Sequence, residues 1–344
     1  MTVESKSIYI TGGTGFIGKN LILKLLSGDS SRYKIVKIFV QSRSSAAVSS
    51  LRQFLSSENP NLPQDFLTSN IIFVKSAKEL KCDIDVLVNL AGEPIAAKRW
   101  TEQQKRIVRD SRITLTRQLI SDLENTKRRV GLVLQCSAIG IYGYQARDDE
   151  PCEEQSGVGA GFAASLCKDW ESVSESFSSI CIEKVIVRLG LVIGKGSDIE
   201  KKLYPLFKMG LGGPISNGKQ AFPWIHIQDV VNGLLFLISD YFSKEIDSSI
   251  KECLSDDNAC HTRVINFVSP QIISQKKFSQ AYAKFLSRPA FVVTPRFALK
   301  LFLGRMAEEL LLGGCSVSSK YLISTGFKFI YADIDSVYNL RTSD

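Results

Sequence analysis

Short apolar runs of strand length alternate with amphipathic stretches through the first half of the chain. The apolar runs are Ile8–Thr11, Ile35–Val40, Asn70–Val74, Val86–Leu90, Val130–Cys136 and Lys184–Leu189. Several are rich in Val, Ile and Leu without interruption, which is typical of parallel strands buried on both faces. Helical periodicity follows in stretches such as Lys19–Leu26 and Arg112–Leu123. This alternation predicts an α/β fold with a Rossmann-type, doubly wound parallel sheet.

The pattern changes after the sixth of these runs, and we expect a second, smaller part of the chain there. Residues 1–189 are predicted to form a Rossmann domain, and residues 190–344 a smaller mixed α/β lobe. Residues 222–240 are expected to return to the first domain. Residues 288–340 are expected to form a helical C-terminal subdomain, because Phe297–Leu312 is strongly apolar on one face.

A glycine-rich segment between the first strand and the first helix carries the strongest chemical signal. Gly12, Gly15 and Gly18 have the Gly-x-x-Gly-x-x-Gly spacing of a dinucleotide-binding loop. Gly12 allows a tight turn, Gly15 lets the backbone approach a pyrophosphate, and Gly18 lets helix and strand pack closely. The strand before the loop and the helix after it favour this function over an ordinary glycine-rich turn, since a helix N-terminus offers free N–H groups to phosphates. The predicted cofactor-binding residues of the loop are Gly12, Gly13, Thr14, Gly15, Phe16, Ile17 and Gly18.

The end of the second strand indicates which dinucleotide would bind. Chains that bind NAD usually place an Asp or Glu there to hold the ribose 2′-hydroxyl. This chain has no acidic residue between Ile35 and Ser57, and has Ser42 and Arg43 at that point. An arginine can pair bidentately with a 2′-phosphate, and a serine can add a hydrogen bond. NADP(H) is therefore the predicted cofactor, and a surface arginine without this role is the alternative.

The composition is that of a globular protein, and its charge leaves several classes of partner open. The chain has 344 residues, of which 44% are hydrophobic and 23% charged, so disorder is not expected. A net charge of +8 permits nucleic-acid or membrane-surface binding, but an anionic cofactor or substrate would explain it equally well. The densest basic stretch is interleaved with acidic and apolar residues at helical spacing, which favours a solvated helix face: Lys98, Arg99, Lys105, Arg106, Arg109, Arg112 and Arg117. We therefore expect a small-molecule substrate, for which an anionic compound would suit the positive charge, and we expect no nucleic-acid partner. The oligomeric state stays open.

The cysteines, the histidines and the hydropathy of the chain indicate whether disulfides, a metal site or a membrane span are expected. The eight cysteines form no short-spaced pairs, and Cys136 and Cys167 lie in apolar or helical patterns, which favours free thiols in a reducing compartment. His226 and His261 are the only histidines, so no metal site is predicted. No apolar stretch approaches the ~20 residues of a membrane span, and no targeting segment is recognised at the N-terminus. We expect a cytoplasmic protein without a membrane partner.

Longer motifs resemble those of a known family. The segment Thr11–Gly18 is similar to the fingerprint of extended short-chain dehydrogenases/reductases. Further matching segments are Asn89–Glu93, Arg99–Trp100, Ser137–Gly143, Gly210–Pro214, Pro223–Asp229, Arg288–Phe291 and Met306–Leu311. Together they resemble the atypical, epimerase-like branch, a sugar-nucleotide epimerase family whose members carry a small C-terminal domain of unassigned function. The resemblance covers nearly the whole chain and departs in length at two predicted surface excursions, Ser44–Gln64 and Tyr241–Thr262.

The resemblance implies an NADP(H)-binding Rossmann domain and a smaller domain that closes over the nicotinamide end. It also implies that the turn after the fourth strand contributes to the cofactor site through Asn89, Leu90, Ala91 and Gly92. Extended members normally carry a Tyr-x-x-x-Lys dyad on the helix after the fifth strand, in which the lysine lowers the tyrosine pKa for proton transfer. In this chain Phe162 stands in the tyrosine position and Leu166 in the lysine position. Lys168 does not replace the lysine, because two residues along a helix turn it by about 200°.

The serine that assists the dyad is also displaced. The usual register, four residues before Tyr142-Gly143, selects Ala138, and Ser137 would face the other side of an extended strand. Ser137 and Glu93 are the candidate proton donors: Glu93 follows the fourth strand and can act as an acid or base if partly buried. A helix N-cap or loop carboxylate is the other interpretation of Glu93.

Three further polar residues have a structural and a chemical interpretation each. His226 lies in an apolar run and is more typical of a structural histidine than of a catalytic one. Asp229 is predicted to cap a helix that starts near Val230. Arg188 ends the sixth strand and would hold either a substrate anion or a neighbouring carboxylate.

The leading hypothesis is an NADP(H)-dependent epimerase/dehydratase-like oxidoreductase of unknown substrate that lacks the standard dyad. Hydride transfer needs the cofactor and a positioned carbonyl, so loss of the tyrosine lowers the rate without forbidding the reaction. The alternative is a non-catalytic, NADPH-dependent sensor or scaffold protein, which the missing dyad favours.

Overall fold

The protein is described by a computed structural model that covers residues 5–27, 34–60, 69–145, 150–246 and 260–339. Its centre is a seven-stranded sheet in which every neighbouring pair of strands is parallel. The strands in chain order are β1 Ser5–Thr11, β2 Lys34–Gln41, β3 Ile71–Val74, β4 Ile84–Asn89, β5 Val130–Ala138, β6 Cys181–Leu189, β7 Leu191–Ile193, β8 Trp224–His226 and β9 His261–Phe267. Strands β7 and β8 form a separate two-stranded parallel sheet.

The strand order of the central sheet is β3-β2-β1-β4-β5-β6-β9. The first six strands have the order of a Rossmann fold, and the order reverses between β1 and β4, where such sheets bind their ligands. The predicted fold class is confirmed. The sequence analysis did not assign β9, which adds a seventh strand from beyond residue 190 to the same sheet.

Helices cover both faces of the sheet. They are α1 Phe16–Leu26, α2 Ser45–Glu58, α3 Glu102–Asp110, α4 Ile113–Asn125, α5 Phe162–Ser174, α6 Asp198–Lys208, α7 Ile227–Ile246, α8 Gln275–Phe285, α9 Arg296–Leu303, α10 Arg305–Ala307, α11 Lys320–Ser324 and α12 Ile334–Asn339. Helix α10 continues in π-helical geometry over Glu308–Leu312. Among the helices of the described residues, none is both long and apolar enough to span a membrane.

Two apolar clusters sandwich the central sheet, because successive side chains of a buried strand point to opposite faces. Ile8 and Ile10 of β1 pack on one face with residues of α1 and α7, such as Leu234. Tyr9 of β1 packs on the other face with residues of α4, such as Leu123. Helix α7 therefore packs against the central sheet, and the return of residues 222–240 to the first domain stays a prediction.

A third apolar cluster lies in the second half of the chain. It joins Trp224 of β8, Phe278 and Tyr282 of α8, and Ile334 and Tyr338 of α12, among other residues. The boundary predicted between residues 1–189 and 190–344, and the helical subdomain 288–340, stay predictions.

The two predicted surface excursions have different outcomes. Most of the first one, Ser44–Gln64, is helix α2, which buries Leu51 and Leu55 against the core. In the second excursion, Tyr241–Thr262, the first residues form the end of α7 and the last two form the start of β9. Residues 61–64 and 247–259 lie outside the described ranges.

Candidate functional site

The glycine loop after β1 is shaped by close backbone contacts that only glycine permits. Gly12 has φ +66°, and a Cβ atom there would lie 2.7 Å from the carbonyl carbon of Leu90, at the end of β4. A Cβ atom on Gly18 would lie 2.5 Å from the carbonyl oxygen of Gly12. The first contact brings the β1 turn against the β4 turn, and the second seats helix α1 directly on the loop. These are the tight turn and the close helix packing of a dinucleotide-binding loop.

The N-terminus of α1 is suited to an anion. The N-cap residue of α1 is Gly15, which has no side chain to cap the helix, and the first turn of the helix contains no acidic residue. A Cβ atom on Gly15 would meet only the carbonyl oxygen of Gly12 within 4 Å, so the loop is open on that side. Free N–H groups and the positive end of the helix dipole favour a phosphate there. The loop therefore fits the pyrophosphate of a dinucleotide.

Ser42 and Arg43 directly follow β2, at the same carboxyl edge of the sheet as the glycine loop. The Arg43 side chain is exposed, and within the described residues it makes no hydrogen bond or ion pair. The Ser42 hydroxyl donates to the carbonyl oxygen of Ser44 at 3.2 Å, which orders the start of α2. The Arg43 guanidinium is thus available to an anion from outside the chain.

Asn89, the last residue of β4, has a side chain that faces the core. It is fully buried, accepts a hydrogen bond from the Thr11 hydroxyl at 2.5 Å, and donates to Gln135 at 2.8 Å and to Thr116 at 3.1 Å. Together these bonds hold β1, β4 and β5 in fixed positions at the edge where the cofactor is expected. The side chain of Asn89 therefore orders the site from the core side, and its three hydrogen bonds satisfy its polar atoms although they are buried. The Ala91 N–H, which follows, also donates to Thr11.

Glu93 follows the β4 turn, and its backbone is held on both sides. Its N–H donates to the Ser111 hydroxyl at 2.9 Å, and its carbonyl oxygen accepts from Arg112 at 2.9 Å. Its side chain is half-buried. Because a Cβ atom on Gly92 would lie 2.9 Å from the Arg112 guanidinium, the turn before Glu93 is also tightly packed. The Glu93 carboxylate is therefore carried on a rigid turn at the carboxyl edge of the sheet.

Ser137, the other candidate proton donor, is engaged in a buried ionic cluster. Its hydroxyl donates to Oε1 of Glu171 at 2.6 Å. Arg188 donates to both oxygens of the same carboxylate, from Nε at 3.0 Å and from Nη2 at 2.8 Å. All three side chains are largely buried. The sequence analysis offered a substrate anion or a neighbouring carboxylate as partner of Arg188, and the partner is the carboxylate of Glu171.

The cluster continues to Tyr142 and to β9. Nη1 of Arg188 donates to the Tyr142 hydroxyl at 2.9 Å, and that hydroxyl donates to Asn266 at 2.7 Å. Burial raises the pKa of Tyr142 to about 12, although the Arg188 charge opposes that shift. A catalytic tyrosine of the standard dyad has a lowered pKa. The Tyr142 hydroxyl therefore joins Arg188 of β6 to Asn266 of β9, and burial shifts its pKa in the direction opposite to that of a dyad tyrosine.

Phe162 and Leu166, the residues at the positions where the resemblance predicts the dyad, lie on α5 and are both apolar. The Phe162 ring is half-buried and packs edge-on against Trp100, with ring centroids 4.8 Å apart. Leu166 is 1% exposed and belongs to the apolar core on one face of the sheet. Of the two, Phe162 therefore reaches the surface and Leu166 is a core residue.

A carboxylate from the C-terminal part of the chain caps the same helix. Oε2 of Glu309 accepts a hydrogen bond from the Ala163 N–H at 3.0 Å. Gly161, the residue before α5, has φ +110°, and a Cβ atom there would lie 2.6 Å from Oε2 of Glu309. Met306 packs against Trp100 beside it. The Met306–Leu311 motif thus positions the start of α5, a role that sequence reasoning missed.

His226 and Asp229 both connect α7 to the C-terminal part of the chain. The His226 ring is buried and lies 4.0 Å from the Tyr331 ring, which supports its structural interpretation. The carboxylate of Asp229 accepts from the N–H groups of Ile330 at 2.7 Å and Tyr331 at 3.0 Å. Burial raises its pKa. The prediction that Asp229 caps a helix near Val230 is wrong, because α7 already begins at Ile227 and the carboxylate is used by a distant loop.

Sequence reasoning missed Glu171, Asn266 and Glu309. Helical spacing from Phe162 does not single out Glu171, because nine residues along a helix turn it by about 180°. Glu309 lies in the Met306–Leu311 motif, but the local pattern does not give its partner or that of Asn266, because these partners are more than 120 residues away. Within the described part of the chain, no group of three or more His, Cys, Asp or Glu side chains is arranged to hold a metal ion.

Two family models match the chain. One, described as the NAD dependent epimerase/dehydratase family, matches residues 8–250, and one described as a domain of unknown function (DUF1731) matches residues 294–337. The mouse epimerase family protein SDR39U1 is 27% identical over 331 residues, which cover 95% of this chain and 96% of that protein. The Bacillus subtilis epimerase family protein YfhF is 26% identical over 339 residues, 98% of each chain.

A solved structure has the same fold. It is the crystal structure of human epimerase family protein SDR39U1 (isoform 2) with NADPH, which superimposes with a TM-score of 0.75 at 24% identity. The match covers 98% of this chain and 99% of that one.

Proposed function

The chain belongs to the NAD dependent epimerase/dehydratase family, and we propose that it is an NADP(H)-binding oxidoreductase of this kind that works without the Tyr-x-x-x-Lys dyad. Its substrate is a small molecule with a carbonyl or hydroxyl group at the reacting carbon.

The observation that carries the proposal is the open glycine loop. The positive φ of Gly12 and its contact with Leu90 bring two sheet turns together, and the α1 N-terminus beside them is uncapped and free of acidic residues. Phosphates bind at such a place. Arg43, exposed and without a partner in the described residues, favours a cofactor with a 2′-phosphate. The NADPH in the crystal structure of the human relative agrees with this choice.

When bound, NADP(H) would supply or accept the hydride. The chain's own residues would hold its pyrophosphate at the Gly12–Gly18 loop and its 2′-phosphate at Ser42 and Arg43. A proton must then be moved at the substrate oxygen, and Glu93 is the first candidate for that role. Its carboxylate stands on a rigid turn and is half-buried, whereas the Ser137 hydroxyl would first have to leave Glu171.

The cofactor assignment is tested by denaturing the purified protein and identifying the released small molecules by mass spectrometry. We expect NADP⁺ or NADPH in the released fraction. If the protein is isolated without nucleotide, calorimetric titration with NADPH replaces the first measurement. Released NAD⁺ or NADH, or a titration without NADPH binding, would contradict the assignment.

The role of Glu93 is tested by hydride transfer in the wild type and in Glu93→Gln across pH 5–9, with a panel of carbonyl substrates. Loss of a general acid typically lowers the rate by about 10²-fold or more. Glu102→Gln is the matched control, since Glu102 is an exposed carboxylate paired with Lys105 on α3. Turnover that survives Glu93→Gln unchanged would remove Glu93 as the proton donor.

The alternative function is a non-catalytic, NADPH-dependent sensor or scaffold. The apolar pair Phe162 and Leu166, the engaged hydroxyl of Ser137 and the high pKa of Tyr142 favour it. It predicts tight NADPH binding together with no turnover in a broad substrate screen. Turnover of any substrate in the screen, lost on removal of NADPH, would exclude it.

A further inference from the structure

Two cysteines meet at the edge of the sheet opposite the glycine loop. Cys181 begins β6, and Cys260 directly precedes β9. The parallel register pairs Glu183 with His261, so the two strands bring their first residues side by side. The Sγ atoms of Cys181 and Cys260 lie 3.0 Å apart, and both residues are partly exposed.

The strands that carry the two cysteines are paired along their length. Seven consecutive residue pairs join β6 to β9, and Arg263 forms a largely buried ion pair with Glu183 directly beside the cysteines. A disulfide requires a separation of about 2.05 Å, so small side-chain rotations would bring the sulfurs into bonding range. The strands would not have to move apart or shift register.

Cys260 is the thiol of the pair whose pKa is lowered, so it is the expected nucleophile. The hydrogen bond from Cys181 and the charge of Lys184 lower the pKa of the Cys260 thiol, against the effect of burial. Burial instead raises the pKa of Cys136 and of Cys167 to about 12. The thiolate is the reactive form of cysteine, so Cys260 is expected to react first among these thiols.

We propose that Cys181 and Cys260 are a redox-active pair that forms a reversible intramolecular disulfide with a small disulfide oxidant such as oxidised glutathione. The Cys260 thiolate attacks one sulfur of the oxidant, which forms a mixed disulfide and releases one glutathione thiolate. Cys181 then attacks the Cys260 sulfur, loses its proton to solvent, and releases the second glutathione thiolate. The two protein thiols are oxidised, and one oxidised glutathione is reduced to two thiols.

The bond would link β9, the outer strand of the sheet, covalently to β6. It closes a long loop of the chain, from residue 181 to residue 260, and so restricts the unfolded state. It lies at the amino ends of the strands, whereas the glycine loop lies at the carboxyl ends. We therefore expect oxidation to raise the melting temperature by about 5 °C and to leave NADPH affinity unchanged.

The test uses the full chain treated with oxidised glutathione, alkylated with N-ethylmaleimide, and mapped by peptide mass spectrometry. We expect one cross-linked peptide pair joining Cys181 to Cys260, lighter by two hydrogens than the reduced pair, and its loss after dithiothreitol. Cys181→Ser should retain glutathione on Cys260, because no second thiol resolves the mixed disulfide. Cys82→Ser, which removes a partly exposed cysteine elsewhere, should form the cross-link as the wild type does.

Three results would overturn the proposal. The first is complete alkylation of Cys181 and Cys260 after oxidation in a protein that is folded by circular dichroism. The second is a cross-link from either residue to another cysteine, Cys253 included. The third is a wild type that keeps glutathione on Cys260 as stably as Cys181→Ser does.

Discussion

The glycine loop and the start of helix α5 are both at the carboxyl edge of the same sheet, but they are built in different ways. The loop is local: Gly12, Gly15 and Gly18 contact each other and the neighbouring turn through backbone atoms. The start of α5 is assembled from distant parts of the chain, since Phe162 packs on Trp100 and Glu309 caps the helix from 146 residues away. One half of the site therefore depends on backbone sterics and the other on tertiary packing.

The two regions therefore respond to different kinds of substitution. A phosphate-binding loop that works through backbone N–H groups needs only glycines and a helix start. A site built from side chains depends on which residues meet there, and near the start of α5 these are the apolar Phe162 and Leu166 and the buried cluster around Arg188. The molecule thus combines a glycine loop built from backbone contacts with a start of α5 built from tertiary contacts.

The buried cluster should produce the largest effect on stability. Arg188→Ala leaves the carboxylate of Glu171 buried without its cation and should lower the free energy of unfolding by about 3–5 kcal/mol in urea titrations. The double variant Arg188→Met/Glu171→Leu removes both charges and should recover most of that loss. If the double variant were no more stable than Arg188→Ala, the unpaired buried charge of Glu171 would not be the cause of the lower stability.

A substitution in the glycine loop should lower the stability nearly as much, but for a steric reason. Gly12→Ala places a Cβ atom 2.7 Å from the backbone of Leu90 at a positive φ, so we expect a loss of about 3 kcal/mol and no measurable NADPH binding. Gly157→Ala is the control, because a Cβ atom there meets nothing within 4 Å. Equal stability of the two variants in thermal unfolding would contradict the close approach of the two turns.

The cap on α5 should give the smallest of these effects. Glu309→Ala removes the acceptor of the Ala163 N–H and should cost about 1 kcal/mol, whereas Glu309→Gln keeps an acceptor and should cost less. Glu308→Ala, which removes the neighbouring carboxylate paired with Lys300 at the surface, should leave the melting temperature unchanged. A Glu308→Ala variant less stable than Glu309→Ala would show that the cap does not hold the helix.

Much of the first half of the fold could be predicted because its signals are local. The six predicted strands are all present within a few residues of their expected bounds, since apolar runs of that length fit a sheet buried on both faces. The resemblance to the epimerase-like branch of extended short-chain dehydrogenases/reductases is confirmed by the family match. Strand β9 was not assigned, because its first residues, such as His261 and Arg263, are polar or partly exposed.

Side-chain partners could be predicted less well. The buried core position of Leu166 and the helical cap by Glu309 both depend on chain segments that sequence spacing does not bring together. Asp229 was wrongly predicted as a helix cap for the same reason, since its partners Ile330 and Tyr331 are about a hundred residues away. Local patterns identify elements, whereas the assignment of buried polar groups requires the tertiary structure.

The central claim is that the open loop after β1 and Arg43 after β2 form a site for NADP(H), and calorimetry tests it most directly. NADPH and NADH are titrated into the wild type, Arg43→Ala, and Arg117→Ala, an exposed arginine on α4 that serves as control. We expect Arg43→Ala to weaken NADPH binding by about 1.5–3 kcal/mol, the scale of a charge-assisted hydrogen bond, and to leave NADH binding and the control unchanged. Equal losses for both cofactors, or wild-type protein that binds NADH as tightly as NADPH, would contradict the claim.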